Sequence, residues 1–290
     1  MSNVMFTRRD FALCLGATAL PLPAATEGAP WNGPANVHKV YLATPKPTWP
    51  YPDLDFKQEI AGIDKRLADL EAKHPGVVRF TGGRLLLNDA NMESWIQSTA
   101  GADAILVMDL STSTGPQFEA LSKLDTPLLL FQRPLTSWAF MNFSEYIRRG
   151  KKADMINSSE YADLVPHLYM LRAMRHVANS KILVVRPGEA NLAAFQPWTE
   201  QFGTRVELPP YQEFKEAYEQ ISARQASEAA DEFKKNALRI VEPRPADILD
   251  STRFYLASME VLRRRKANAV TIDCLGGFRR GDLPAYPCVA

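Results

Sequence analysis

The sequence predicts an α/β protein made of two doubly wound units with mainly parallel sheets, on three observations. Strand-like and helix-like segments alternate along the chain from His38 onward. The strand-like segments, among them "DAILVMD" and "TPLLLFQ", are continuous apolar runs, the pattern of strands covered by helices on both faces. The alternation restarts after Lys152, and 290 residues suit two domains of roughly 100–150 residues each.

In chain order, residues 26–37 read as a linker leading to the first strand, "HKVYLAT", His38 to Thr44. The Pro/Trp-rich loop "PKPTWPYPDLD" precedes a helix marked by Ile60, Ile63, Leu67 and Leu70 at helical spacing. "GVVRF" reads as a strand, "TGGRLLLN" as a loop and Asp89 to Thr99 as a helix. The strand "DAILVMD", the stretch "LSTSTGPQFEAL", the strand "TPLLLFQ" and a helix over Ser137 to Arg149 complete the first domain, residues 38–152.

The second domain, residues 153–290, opens with the strand "ADMINSS", where Ser158 or Ser159 is placed to cap the helix Tyr161 to Ala178. "SKILVVRP", a helix over Ala190 to Phe202, the short strand "RVEL" and two helical stretches between Tyr211 and Asn236 follow. A helix over Pro245 to Lys266 leads to the strand "NAVTID" and a closing Gly- and Pro-rich loop. The domains meet near Gly150 to Ala153 or within the long helix after it. In such folds ligands sit at the carboxyl ends of the strands.

Composition excludes some partners. A net charge of +1 gives no global field for nucleic acid or anionic lipid, and the runs Arg148–Lys152 and Arg263–Lys266 fall at helix ends, where they offset the helix dipole. "TRRDFALCLGATALPLPAA" resembles a twin-arginine export signal over residues 1–25, carried by Arg8, Arg9 and Phe11 after Thr7, with Ala12 and Leu13 departing from the usual pattern. Its apolar run is short and proline-broken, so no stable membrane anchor is expected. The expected location is the bacterial periplasm, with the cytoplasm as the alternative. Cys14 lies in this segment, leaving Cys274 and Cys288, either bridged across the closing loop or reduced.

Familiar site motifs are missing: no G-x-G-x-x-G follows a strand, and there is no phosphate loop, G-x-S-x-G or H-E-x-x-H. His167 and His176 share a helix but face opposite ways, about 900° of rotation apart, so they cannot hold one metal. What remains are polar groups at strand ends: Asp109 with Ser111 to Ser113, Gln132 with Arg133, Asn157 to Ser159, and Asp273 with Gly276 and Gly277. Acidic or amide groups there suit a sugar hydroxyl or a divalent metal, or else they cap helices. Asp109, Asn157 and Asp273 are the candidate substrate-binding residues. The glycines after Asp273 would leave backbone open to a ligand. No catalytic residue and no metal ligand is assigned.

The strings "ANAVTIDCLGGFRRGDLPAYPCVA", "DAILVMDLSTSTGPQFEAL", "TPLLLFQRPLTSWAFM" and "GKKADMINSSEYADLVPHLYMLRAMRHVANSKILVV" resemble the L-fucose/L-arabinose isomerase-like proteins, over the part that forms their two N-terminal Rossmann-like domains. The resemblance implies aldose–ketose isomerisation of a sugar substrate, with manganese or another divalent metal holding two sugar oxygens. In that family the metal-binding carboxylates follow the "P-C" segment. The expectation is therefore the N-terminal portion of an exported isomerase-like protein, its second domain incomplete, inactive and metal-free without a missing catalytic domain. The rival reading is an exported sugar-binding protein with a cleft between two α/β domains, where Trp49, Tyr51 or Trp138 stacks on a sugar ring. A subunit that self-associates through an open sheet edge is the third.

Overall fold

The structure is a computed structural model and describes residues 33–47, 49, 51–87, 92–187 and 191–288. The export-signal residues Arg8, Arg9 and Phe11 lie outside the described residues. The chain divides into two compact units, Asn32–His176 and a second that takes up the chain from Val177.

The first unit is a five-stranded, all-parallel sheet in the order β2-β1-β3-β4-β5. Its strands are β1 (Ala35–Ala43), β2 (Val78–Leu87), β3 (Ala104–Asp109), β4 (Leu128–Gln132) and β5 (Ala153–Asn157). Every residue of β3 and β4 is buried, as their unbroken apolar sequence requires. Helices cover both faces. On one, α1 (Phe56–Lys73) buries Ile63, Leu67 and Leu70, and α5 (Val165–Ala178) buries Leu168 and Leu171, against Val37, Tyr41, Leu106 and Phe131. Side chains of this kind each contribute roughly 1.5–3 kcal/mol on burial. On the other face, α2 (Met92–Ser98), α3 (Gly115–Leu121) and α4 (Ala139–Arg148) bring Trp95, Phe118 and Phe143 onto Leu42, Val107 and Leu130. Asp55 starts α1 by accepting hydrogen bonds from the backbone amides of Lys57 and Gln58.

Four local features differ from the expectations. β1 begins at Ala35, inside the expected linker, because its N-terminal residues pair with β2. "TGGRLLL" is strand rather than loop: β2 runs through it, with a bulge where Lys39 pairs with Gly82 and Val40 with Arg84. Gly82 and Gly83 hold the positive φ angles, 68° and 112°, that the bulge requires. β5 pairs with β4 and completes the first sheet, so the chain passes into the second unit within α5, the later of the two places the alternation allowed. The segment after β5 opens as a 3-10 turn, Tyr161–Leu164, without a side-chain cap; Ser158 instead bonds the Asp163 carboxylate and the Glu160 amide.

The second unit holds a three-stranded parallel sheet in the order β7-β6-β8: β6 (Lys181–Val185), β7 (Arg205–Glu207) and β8 (Ala269–Ile272). Helices α6 (Gln196–Phe202), α7 (Tyr211–Gln220), α8 (Ala223–Asn236) and α9 (Pro245–Arg265) accompany it. Phe214, Phe254 and Val261 pack on Leu183 and Val185. Arg265 closes α9 as an ionic hub, 3.1 Å from Glu207 and 2.6 Å from Glu213, while Lys181 holds Glu207 at 2.5 Å. The expected closing loop contains a helix, α10 (Cys274–Arg280). Among the described residues no helix is long and apolar enough to cross a membrane.

Candidate functional site

The strand order 2-1-3-4-5 creates a switch point. From β1 the chain winds outward to β2, then crosses back beside β1 to continue through β3, β4 and β5. Connections that leave in opposite directions open a crevice between the carboxyl ends of β1 and β3, where ligands of such sheets bind. A pocket of about 390 Å³ lies at the carboxyl end of β3. Trp49 from the loop after β1, Asp109 and Thr112 to Gly115 from the end of β3, and Trp138, Ala139 and Met141 at the start of α4 line it.

Each wall is positioned by identifiable bonds. The Thr44 amide donates to Ser111 Oγ at 2.9 Å, tying the loop after β1 to the loop after β3. Gln132, at the end of β4, donates to the Ser137 carbonyl at 2.5 Å and accepts from the Phe140 amide at 3.0 Å. These two bonds fix the loop that carries Trp138. Trp49 and Trp138 meet with ring centroids 5.2 Å apart at an interplanar angle of 45°, and both are exposed, Trp138 the more so. Backbone strain is found here as well: Ser113 and Leu135 hold φ of 68° and 60°, a region that costs a non-glycine residue roughly 1–2 kcal/mol. One lies in each loop bordering the pocket, and backbone strain of this kind gathers at functional sites.

Asp109 forms the floor. It is only 3% exposed, and Thr114 Oγ1 donates to its Oδ2 at 2.9 Å. Its Oδ1 is buried without a hydrogen-bond partner. Burial pushes the carboxyl up to about 7, against the opposing pull of the Ser137 and Thr114 hydroxyls and the Ser111 backbone. Such a group changes charge near neutral pH. Because Thr114 gives its proton to Asp109, its oxygen is left to accept from whatever lies above it. The polar side chains of Asp109 and Thr114 among the lining residues thus have acceptor capacity to spare.

The other expected site residues lie elsewhere. Asn157 ends β5 opposite Gln132, is exposed and does not line the pocket. Asp273 belongs to the second unit and caps α10: its Oδ1 accepts from the Gly276 amide at 3.2 Å, and Arg280 pairs with Oδ2 at 3.3 Å. Gly276 and Gly277 sit inside that helix rather than in an open loop. A side chain on Gly276 would strike the Asp273 carboxylate, and one on Gly277 would meet Tyr211 and Leu283, so these glycines admit the protein's own groups. Arg133 pairs with Glu59 at 2.5 Å. Tyr51 is exposed and outside the pocket lining. Cys274 and Cys288 are both free thiols.

Sequence reasoning placed Asp109 and Ser111 to Ser113 at this strand end and named both tryptophans, but it did not join the two groups. It missed Thr114 and Ser137. The signal for Thr114 was the hydroxyl run "STST" directly after an apolar strand. Among the described residues no group of three or more His, Cys, Asp or Glu side chains is placed to hold a metal ion. No known family model matches the chain, and no curated protein matches it.

Proposed function

We propose that the first unit binds a small polyhydroxylated ligand, a sugar, in the pocket at the carboxyl end of β3. The observation that carries this reading is the buried Asp109, with one oxygen unpartnered, beneath two exposed tryptophans. Acceptors on the floor suit the O–H donors of a sugar, and aromatic faces suit the apolar C–H face of its ring. Titration calorimetry with L-fucose, L-arabinose and D-galactose tests it, alongside the Trp49→Ala and Trp138→Ala variants. Saturable binding that each variant weakens by about tenfold is expected, equivalent to about 1.4 kcal/mol. A flat titration for all three sugars would overturn the reading.

The wider family reading is an aldose–ketose isomerase-like protein. Its support is the resemblance of the quoted strings. Binding without chemistry is favoured for the chain itself because Asp109 is the one carboxylate among the described residues that line the pocket. Export to the periplasm is proposed on Thr7, Arg8, Arg9 and Phe11. Replacing Arg8 and Arg9 with lysine should retain the protein in the cytoplasm; unchanged export would remove the proposal.

A further inference from the structure

The first sheet ends at β2 on one side and at β5 on the other, so each of these strands has one side without a neighbour. Such an edge is a row of N–H and C=O groups that a strand of another molecule can extend. Along a strand, every second residue turns its backbone groups toward the neighbour and the residues between turn theirs outward. In β2 the Val77 carbonyl accepts from the Ala35 amide, so Val77, Arg79 and Thr81 face β1 while Val78 and Phe80 face out. In β5 the Lys152 carbonyl accepts from the Leu128 amide and the Ser158 amide donates to Gln132. Ala153, Met155 and Asn157 therefore face out.

On each edge a carboxylate takes one of these outward amides. The Phe80 amide donates to Glu71 Oε2 of α1 at 2.9 Å. The Met155 amide, at the centre of β5, donates to Asp154 Oδ1 at 2.8 Å. His167 of α5 holds the second Asp154 oxygen, its Nε2 lying 3.4 Å away, and its Nδ1 meets the Asp163 carbonyl at 3.2 Å. An amide on an exposed edge has water for a partner, so satisfying it does not require a side chain. The rest of each edge is unsuited to pairing as well. β2 bulges at Gly82 and Gly83, and β5 is only five residues long.

We infer that Glu71 and Asp154 close the two edges of the first sheet against strand addition by a second copy of this chain. A two-fold axis at Met155 would set two β5 strands antiparallel, each offering the other the same row of outward groups. The incoming carbonyl would have to replace the Asp154 carboxylate on the Met155 amide, giving up a charge-assisted bond. The same axis would bring the two Asp154 charges together, which opposes pairing further. Glu71 gives β2 the same protection from a different element, the neighbouring helix.

The test uses the full chain and two readouts, amide-resolved hydrogen exchange and sedimentation over a range of concentrations. In the wild type the Met155 amide should exchange at least about tenfold more slowly than the Asn157 amide two residues along the same edge, after correction for local sequence. Equal rates would mean that the carboxylate does not hold the amide, and the inference would fall without any variant. Asp154→Ala should release that amide and tighten self-association by at least about tenfold, with Ala153, Met155 and Asn157 becoming protected as concentration rises. Glu71→Ala should do the same for Phe80 on the other edge. A variant whose amide is released but which sediments as the wild type does would overturn the inference. So would association that leaves the outward amides exchanging freely, because another face would then be pairing.

Discussion

Replacing Asp109 with asparagine should make the first unit more stable at pH 8 and progressively less so toward pH 5. In the folded protein burial raises the carboxyl from its ordinary 3.8 to about 7. Between those values the folded state keeps a proton that the unfolded chain has released. Stability is therefore highest at acid pH and falls as pH rises from about 4 to about 7. Each pKa unit corresponds to about 1.4 kcal/mol, so the full cost of ionising Asp109 in place is on the order of 4 kcal/mol. Roughly 3 kcal/mol of that develops between pH 5 and pH 8. Asparagine keeps the shape and an acceptor for Thr114 but carries no charge. Hydrogen exchange of the β3 backbone, followed by mass spectrometry, reads the opening free energy of the first unit alone. The difference between variant and wild type should grow by about 3 kcal/mol from pH 5 to pH 8. A difference constant to within about 0.5 kcal/mol would show that Asp109 pays no desolvation cost here, and the account of the pocket floor would fail.

Three further outcomes follow from the geometry. Gly82→Ala should cost about 2–4 kcal/mol, because the bulge needs its positive φ and the new methyl would overlap the buried His38 imidazole; an unchanged melting temperature would refute the bulge. Ser113→Gly should gain up to about 1 kcal/mol by relieving a left-handed serine while weakening ligand binding, read by denaturant melts beside calorimetry. Arg265→Ala should lose about 1–2 kcal/mol by stranding Glu213 and Glu207. Bonds from Lys181 and then Arg265 hold Glu207 below the usual carboxylate range, so its contribution is full above that range and fades as pH falls through the lowered value. Acid titration of the variant should therefore show a shallower loss than the wild type.

The fold was legible where one physical signal dominated. Runs such as Ala104–Asp109 admit only a strand buried on both faces, and Ile63, Leu67 and Leu70 admit only one helical face. Where two signals conflicted, the longer-range one won. Gly82 and Gly83 read as a turn, yet pairing with β1 carried β2 across them. Gly276 and Gly277 read as open loop, yet the Asp273 cap made a helix of them. Ala153–Asn157 matched the start of a new unit equally well, because no local pattern records which sheet a strand joins. At the site, each residue type was visible in the sequence, but its neighbours were not. That Trp49 and Trp138 meet, and that Asp109 lies near them while Asp273 sits in another unit, follows from strand order. Strand order is written in no short string.

The all-parallel ladders also set how the pocket comes into being as the chain folds. Parallel neighbours cannot be joined by a hairpin, so no strand pair in the first unit can form as a local nucleus. The Asn36 amide meets the Asp103 carboxylate, 67 positions further along the chain, beside the β1–β3 ladder. Closing so long a loop costs entropy before any contact repays it, which places such pairings late and slows the whole process. β3, β4 and β5 can assemble over shorter spans, already carrying Asp109 and Trp138. Trp49 arrives only when β1 pairs with β3. Completion of the pocket is thus a report that the first unit has finished folding, and an intermediate lacking β1 would carry the acidic floor without its aromatic wall.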